Sequence, residues 1–284
     1  MPLAVLASLF WAVQSFTEKR TVSAGISRRD FFYYSCLFLI PFAAIMVFVT
    51  PFYFNFNYWL IPIFAGALLF RYGKMAAIVS TMKHLVPYES EAYMCLSVIL
   101  AYIADCVIGV KFFSLLGVLS ITITILGVFL IADVKLKIKH LQKGIIIRIL
   151  CDVGLAYCTR YALLYCSNAL FILLLNLIIV LIFSWKYKLN EHKKNLSVIK
   201  LVIIQQFLGF IVLFLGNIVT QQSVTAYSFI RPIELAICIL IALFAKNKFL
   251  LYGQSADSNN SRSPKIKDGI AIAFIITGIF LQTI

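Results

Sequence analysis

The sequence predicts an all-α integral membrane protein with ten transmembrane helices arranged as two inverted five-helix repeats. Three observations lead to this fold class. Hydrophobic residues make up 62% of the 284 residues and charged residues only 13%, with a mean hydropathy of +0.98. The apolar residues fall into stretches of about the length that crosses a bilayer. Three pairs of short segments also recur in the same order in the two halves of the chain.

The composition excludes an ordinary soluble domain. Such domains are about half apolar and about a quarter charged. A core this apolar cannot be covered by so few polar residues, so the lipid bilayer is expected to serve as the solvent. The opening segment MPLAVLASLFWAVQ has no basic leading region. We therefore expect it to be a retained first span rather than a signal peptide.

Ten apolar stretches approach the roughly 20 residues that a helix needs to cross the hydrocarbon core. Some connections between them are very short, which predicts antiparallel neighbouring helices. We expect the first repeat at residues 1–133 and the second at 134–284. The predicted spans are 2–17, 31–49, 58–79, 89–109, 114–133, 144–165, 168–185, 199–220, 224–245 and 268–284.

The distribution of basic residues predicts the orientation. Of the 25 Lys and Arg residues, 19 lie in the odd-numbered loops, whereas Lys111 is the one basic residue in the even-numbered loops. Basic loops stay in the cytoplasm, so both termini are expected outside, most simply at the cell (plasma or inner) membrane. This bias, with contacts to anionic lipid, explains the net charge of +14 without a nucleic-acid partner.

The internal repeat is visible in three segment pairs. WAVQSFTEKR of span one matches DVGLAYCTRY of span six, IVSTMK matches IVTQQS in spans three and eight, and ILGVFLIA matches ITGIFLQT in spans five and ten. Because five is odd, the second half enters the membrane inverted relative to the first. Inverted repeats are a recurrent design of secondary transporters, which bind solute at the interface between the halves.

These features resemble the EamA-like families of the drug/metabolite transporter superfamily. The resemblance rests on Trp11 in SLFWAVQS, on Pro232 after VTAYSFIR, and on glycines in the last helix of each half: Gly117, Gly127, Gly269 and Gly278. It implies ten helices in two five-helix repeats and transport of a small metabolite. The chain departs from the family pattern in three places. Span four lacks a proline, so its first half is expected to be straighter, the loop before span ten is long, and the family keeps both termini in the cytoplasm.

Charged residues inside the predicted spans are the main functional signal, because a charge at mid-span is costly and usually faces the protein interior or a water-filled cavity. Arg231 and Glu234 are three residues apart and share a helix face. Pro232 between them tends to kink the helix. We expect the pair to line a central cavity. The alternative is an ion pair that only joins two helices.

Two other spans carry charges. Arg148 and Asp152 are four residues apart and are expected to pair with each other, with Arg160 two turns further along the same face. Arg71 and Lys74 share a face that has no acid in its own helix. The alternative is that these two side chains extend along their helix toward its cytoplasmic end.

Acids near the ends of span four, Glu89, Glu91 and Asp105, are expected to reach water. The predicted interior would then contain five basic side chains and only two acidic ones. An interior with an excess of about three positive charges favours a small anionic or zwitterionic solute. Glu234 is the candidate for binding a coupling proton, and an exchanged solute is the alternative. The predicted substrate-binding residues are Trp11, Gln14, Arg71, Lys74, Asp152, Tyr157, Arg160, Gln205, Asn217, Tyr227, Arg231 and Glu234.

For the uncharged polar members of this set, an interhelical hydrogen bond is the alternative role. Two other functions stay open: a membrane-embedded enzyme acting on a lipid-linked substrate, and a non-transporting scaffold of the same fold. His84, His140 and His192 fall in predicted loops, which argues against a hydrolase with a buried histidine base. No catalytic residue, metal ion or cofactor is expected, and the chain lacks the phosphate-binding motif of ATP-driven transport.

Overall fold

The computed structural model describes residues 2–82, 87–132, 143–186, 196–244 and 266–281. The predicted helical class is confirmed for this part of the chain. The histidines and three connections with many of the basic residues used for orientation, at 133–142, 187–195 and 245–265, lie outside the described residues. The helices are α1 (Pro2–Ser23), α2 (Arg28–Val49), α3 (Leu60–Met82), α4 (Pro87–Met94), α5 (Ser97–Val107), α6 (Leu115–Ala132), α7 (Lys143–Ala162), α8 (Asn168–Lys186), α9 (Leu196–Gln222), α10 (Val224–Ser228), α11 (Ile230–Phe244) and α12 (Ile266–Leu281).

Four helical segments are long and apolar enough to cross a membrane: Arg29–Val49, Leu60–Met82, Ser90–Val107 and Val198–Gln222. The exterior of the molecule is correspondingly apolar, with Phe48 89% and Phe112 96% exposed. Charged side chains occupy the interior, where Arg231 and Glu234 are completely buried. This distribution is the reverse of that in a soluble protein and suits a protein surrounded by lipid.

The most extensive helix pairings are α6 with α12, α3 with α7, α1 with α9, and α2 with α8. Glycines allow the first of these pairs to approach closely. A Cβ at Gly278 would lie 2.7 Å from the Ser120 carbonyl oxygen, and one at Gly127 would lie 2.7 Å from the Ala271 carbonyl oxygen. The Ser120 hydroxyl donates to the Gly278 carbonyl at 2.6 Å. Small residues therefore bring the two backbones together, as in other membrane helix pairs.

The predicted ninth span is divided into α10 and α11. Pro232 has no N–H to donate to the Ser228 carbonyl, and α10 ends at Ser228. Pro232 lies in the first turn of α11, where a missing N–H is tolerated. The proline thus separates two helices instead of kinking one. It places Arg231 and Glu234 in the first turns of α11.

The predicted fourth span is also divided, although it lacks a proline. Its first half forms α4 and its second half α5, with the break at Cys95 and Leu96. The Leu96 N–H donates to the Tyr93 carbonyl and the Val98 N–H to the Cys95 carbonyl, both at 3.1 Å. These three-residue spacings tighten the helix locally. The expectation of a straighter helix was therefore wrong, and the two divided spans pack against each other.

Three loops lie at one end of the molecule, at residues 50–59, 108–114 and 163–167, and we call this the Lys111 end. An isolated antiparallel bridge joins Phe54 to Cys166 there. Phe56, Tyr58 and Trp59 are strongly exposed. Exposed aromatic residues at helix ends are typical of a membrane–water interface.

Candidate functional site

A network of ion pairs lies at the centre of the molecule, with Arg231 of α11 as its hub. The Arg231 guanidinium donates through Nη1 to Glu91 Oε2 at 2.9 Å and to Glu234 Oε2 at 3.1 Å. Its Nη2 donates to Asp152 Oδ2 at 2.8 Å. One planar guanidinium thus binds carboxylates from α4, α7 and its own helix, which its fork of donors permits and a lysine would not.

Two further cations complete this network. Arg148 Nη2 lies 2.7 Å from Glu91 Oε1, and Nη1 donates to the Ser90 hydroxyl. The Lys74 ammonium pairs with Asp152 Oδ1. We call Lys74, Glu91, Arg148, Asp152, Arg231 and Glu234 the central cluster. Its three cations and three carboxylates are all at least nine-tenths buried.

The indole of Trp11 forms one wall of the central cluster. The Arg231 guanidinium carbon lies 3.7 Å from the centroid of the Trp11 ring, and Lys74 Nζ lies 5.3 Å from it. Tyr227 packs against the indole with ring centroids 5.9 Å apart. The Ser15 hydroxyl, one turn along α1, donates to Glu234 Oε1 at 2.7 Å. Helix α1 therefore supplies a cation–π surface and a hydroxyl donor to charged groups of α3 and α11.

Two buried charged groups near the cluster have no ion-pair partner among the described residues. Glu18 of α1 is 3% exposed and accepts hydrogen bonds from the amides of Gln14 at 3.1 Å and Gln205 at 3.5 Å. Arg71 of α3 is also 3% exposed, and its Nε and Nη2 have no hydrogen-bond partner. Such groups are costly to bury, which marks both as places where a ligand could contribute.

A second polar junction lies toward the Lys111 end and is built on Asp105 of α5. Asp105 Oδ1 accepts from the Tyr157 hydroxyl at 2.7 Å. Its Oδ2 accepts from the Thr225 backbone N–H at 2.8 Å and the Thr225 hydroxyl at 2.6 Å. The junction ties α5 to α7 and α10. In the adjoining loop, partial burial lowers the pKa of Lys111, with Asp105 acting in the opposite direction.

Most of the predicted site residues come together, but not all. Trp11, Lys74, Asp152, Tyr227, Arg231 and Glu234 meet in or against the central cluster, and Gln14 and Gln205 surround Glu18. Tyr157 belongs to the Asp105 junction. Arg160 is only partly buried and donates to the Gln222 carbonyl at 3.3 Å. Asn217 donates to Asn168 at 2.7 Å in the contact between α8 and α9, which is the alternative role considered for it.

Three expectations about the charges were wrong. Arg148 and Asp152 do not pair with each other, because each is engaged by a residue of another helix. Glu91 and Asp105 do not reach water, since both are completely buried. The predicted excess of positive charge is also absent. The described part of the chain buries five basic and five acidic side chains: Lys19, Arg71, Lys74, Arg148 and Arg231, with Glu18, Glu91, Asp105, Asp152 and Glu234.

Sequence reasoning missed Glu18, Glu91 and Asp105 as parts of the interior. Helix α1 continues to Ser23, beyond the predicted end at residue 17, so Glu18 and Lys19 lie inside the bundle. Lys19, which we had assigned to a loop, donates to the Met82 carbonyl at 2.7 Å. One signal for the helix end was present in Gly25, which follows the last turn of α1 with a φ of 83° and is a residue typical of a helix C-terminus.

The fold occurs in solved structures, whereas sequence comparison finds no relative. No protein-family model matches the sequence, and no curated protein does. Chains of solved structures do match, 26 in all. One is a crystal structure described only as "Crystal structure of protein", with a TM-score of 0.65 and 13% identity over 99% of this chain and 95% of that chain. At this identity the likeness establishes a shared fold and nothing about function.

Proposed function

We propose that the chain is a secondary transporter that moves a small polar metabolite across a membrane by alternating access. The main observation in favour of this proposal is the central cluster. Six buried charged groups from α3, α4, α7 and α11 meet beside the two breaks in the helices. Interrupted helices in corresponding positions of two halves are a recurrent feature of transporter binding sites. A purely structural core would bury apolar side chains at lower cost.

The proposal includes ten transmembrane spans in two inverted repeats, residues 1–133 and 134–284. The helix pairings support it. Exchanging the halves turns the pairing of α3 with α7 into that of α9 with α1. The exchange leaves the other main pairings unchanged: α2 with α8, α6 with α12, and the divided fourth span with the divided ninth span. The contacts of Gly127 and Gly278 are reciprocal in the same way. A two-fold axis in the membrane plane would produce this pattern.

A route for the solute is supported by a cavity at the Lys111 end. Its volume is about 390 Å³, and its lining includes Leu3, Lys111, Gln222, Ser223, Phe229 and Ile233. Phe229 is the residue between α10 and α11, and Ile233 precedes Glu234 of the central cluster. The cavity thus extends from the loop region to the break in the ninth span. We propose that it leads toward the charged centre.

The balance of buried charge bears on the substrate. An anionic solute was expected from an excess of positive charge, but the described interior has equal numbers of acids and bases. A zwitterionic solute keeps such an interior neutral, and we propose this class over a simple anion. Its carboxylate would find two free donors on Arg71. Its cationic group would find the Glu18 carboxylate when that group is deprotonated.

The resemblance to EamA-like transporters agrees with this proposal, and we extend it to a location in the cell membrane. The enzyme hypothesis relied on the acids of PYESEAY. Glu91, one of these, is completely buried and has both carboxylate oxygens bound by arginines, so its position is that of an ion-pair partner rather than of a general base. The described residues therefore offer the enzyme hypothesis less support than transport.

Transport is tested by reconstituting the purified protein in lipid vesicles and measuring uptake of a panel of radiolabelled zwitterionic, anionic and neutral metabolites. We expect saturable uptake of at least one zwitterionic solute above that of protein-free vesicles. Competition by unlabelled solute should follow the same order of preference. A panel in which every solute enters at the rate of protein-free vesicles would contradict the proposal and favour the scaffold hypothesis.

A further inference from the structure

Glu18 differs from the other acids at the centre of the molecule in its partners. Asp152, Glu91 and Glu234 are each bound by at least one arginine. Among the described residues, Glu18 accepts only from two neutral amides, those of Gln14 and Gln205. It is nevertheless 3% exposed. The protonation state of Glu18 has to be compatible with a buried position that has no cation in direct contact.

An ionised carboxylate in such a position would lose most of its hydration without gaining a cation as a direct partner among the described residues. That loss of hydration is large for a buried ion, even after local relaxation. The protonated acid avoids the cost if its O–H finds an acceptor. Gln205 Oε1 is buried and has no hydrogen-bond partner in the described part of the chain. Exchanging the oxygen and nitrogen of this amide would direct an acceptor at Glu18 Oε1 from 3.5 Å, so the two groups would have to approach by about 0.5 Å or more to form an O–H···O bond.

The packing around Glu18 brings the side-chain amides of Gln14 and Gln205 close to its carboxyl group. A Cβ at Gly209 of α9 would lie 2.9 Å from Gln14 Nε2, so the glycine makes room for the Gln14 amide. Gln14 then donates to the carboxyl from its own helix, and Gln205 approaches from α9. The geometry fits a neutral acid held by amides better than an anion held by charge.

We propose that Glu18 is a proton-binding site and that it holds its proton in this conformation. Burial, the largest influence, and Glu91 of α4 favour the protonated acid, whereas the cations Arg148 of α7, Lys74 of α3 and Arg231 of α11 favour the ionised form of Glu18. Its neighbour Lys19 is engaged by the Met82 carbonyl. Binding adds one proton to a carboxylate oxygen, and no other bond is made or broken.

Release of this proton would connect Glu18 to the central cluster. Arg148 Nε is buried and has no hydrogen-bond partner among the described residues, and the positive charge of Arg148 favours the ionised form of Glu18. An anionic Glu18 would attract Arg148 away from Glu91, which would in turn loosen the hold of Glu91 on Arg231. Proton release on α1 would thereby rearrange ion pairs between the two halves. This coupling role rests on the proposed transport function, whereas the proton site does not.

Glu18 replaces Glu234 as the candidate for the coupling proton. Glu234 has one oxygen bound by Arg231 and the other by the Ser15 hydroxyl, so it has the cationic partner in direct contact that Glu18 lacks among the described residues. Asp105 is likewise held by three donors. Among the buried acids of the described chain, Glu18 is the one whose partners suit the protonated form.

Infrared spectroscopy of the purified protein in lipid tests the site without any substrate. We expect a carboxylic-acid C=O stretching band at neutral pH that disappears as the pH is raised. The band should be absent from Glu18→Gln, which resembles the protonated acid in shape, and present in Glu234→Gln. A wild-type spectrum without the band, or a band that persists in Glu18→Gln, would overturn the proposal.

A second pair of variants tests the site even if Glu18→Gln fails to fold. Removing one hydrogen-bonding amide at a time, in Gln14→Leu and Gln205→Leu, should shift the band in frequency while leaving it titratable. Band positions identical to the wild type in both variants would contradict the assignment. Because no solute is present, these outcomes are independent of whether the vesicles show uptake, and the two proposals can fail separately.

Discussion

At the scale of single residues, Arg231 determines how the centre is held together. Its guanidinium binds three carboxylates from α4, α7 and α11 and lies on the face of Trp11. Removing one member of a buried ion network leaves the others uncompensated, and this is more costly than the network's own contribution to stability. The residue is therefore a sensitive probe of the centre.

We expect Arg231→Gln to lower the free energy of unfolding by about 3–5 kcal/mol. Arg160→Gln is the matched control. Arg160 is partly exposed and donates only to the Gln222 carbonyl, so its replacement should change stability by about 0.5 kcal/mol or less. Denaturant unfolding in detergent measures both. Equal losses in the two variants would show that the central ion pairs are not strongly coupled.

Tyr157 provides a residue-scale test of the Asp105 junction. Tyr157→Phe removes one hydrogen bond to a buried carboxylate, and a bond of this kind contributes about 1.5–3 kcal/mol. Tyr161→Phe is the control, because Tyr161 lies one turn further along α7 and is 38% exposed. Thermal unfolding should show a clear decrease for the first variant and little change for the second. A decrease of the same size in both would argue against the junction.

At the scale of helices, the apolar stretches predicted the elements well. Each predicted span coincides with one helix or with two consecutive ones. The extent of α1 and the break between α4 and α5 were not predictable from hydropathy. Both depend on partners distant in sequence, since Glu18 meets Gln205 and Glu91 meets Arg148 and Arg231. The sequence located most charges of the centre but could not pair them, because ion pairs across helices leave no periodic pattern.

The contact between α6 and α12 gives an element-scale prediction. Gly278→Ala would place a Cβ against the Ser120 carbonyl and should destabilise the protein by about 1–3 kcal/mol. Gly269→Ala in the same helix meets nothing within 4 Å. It should be neutral or stabilising, by up to about 1 kcal/mol, because alanine has less backbone entropy to lose. The midpoint of thermal unfolding measures both effects. Equal midpoints in the two variants would contradict the close packing of α6 against α12.

At the scale of the whole molecule, the orientation predicted from the basic residues is open to a direct test. The basic-residue bias and the EamA-like resemblance disagree about the side on which the termini lie. Single cysteines at Asn57 and Ser258, in a background without the seven native cysteines, can be labelled with an impermeant maleimide on intact cells. We expect labelling at position 57 and none at position 258 until the cells are opened. The opposite result would place the termini in the cytoplasm.

The central claim is that solute binds at the charged centre between the two halves. The most direct test is the initial rate of uptake into vesicles of the best solute from the panel, compared between Arg231→Gln, Arg231→Gln with Glu234→Gln, and Arg160→Gln. The double variant keeps the cluster neutral and so limits the loss of stability. The account predicts a loss of tenfold or more, equivalent to about 1.4 kcal/mol, in both Arg231 variants, with Arg160→Gln close to the wild type. Uptake at the wild-type rate by the folded double variant would contradict it.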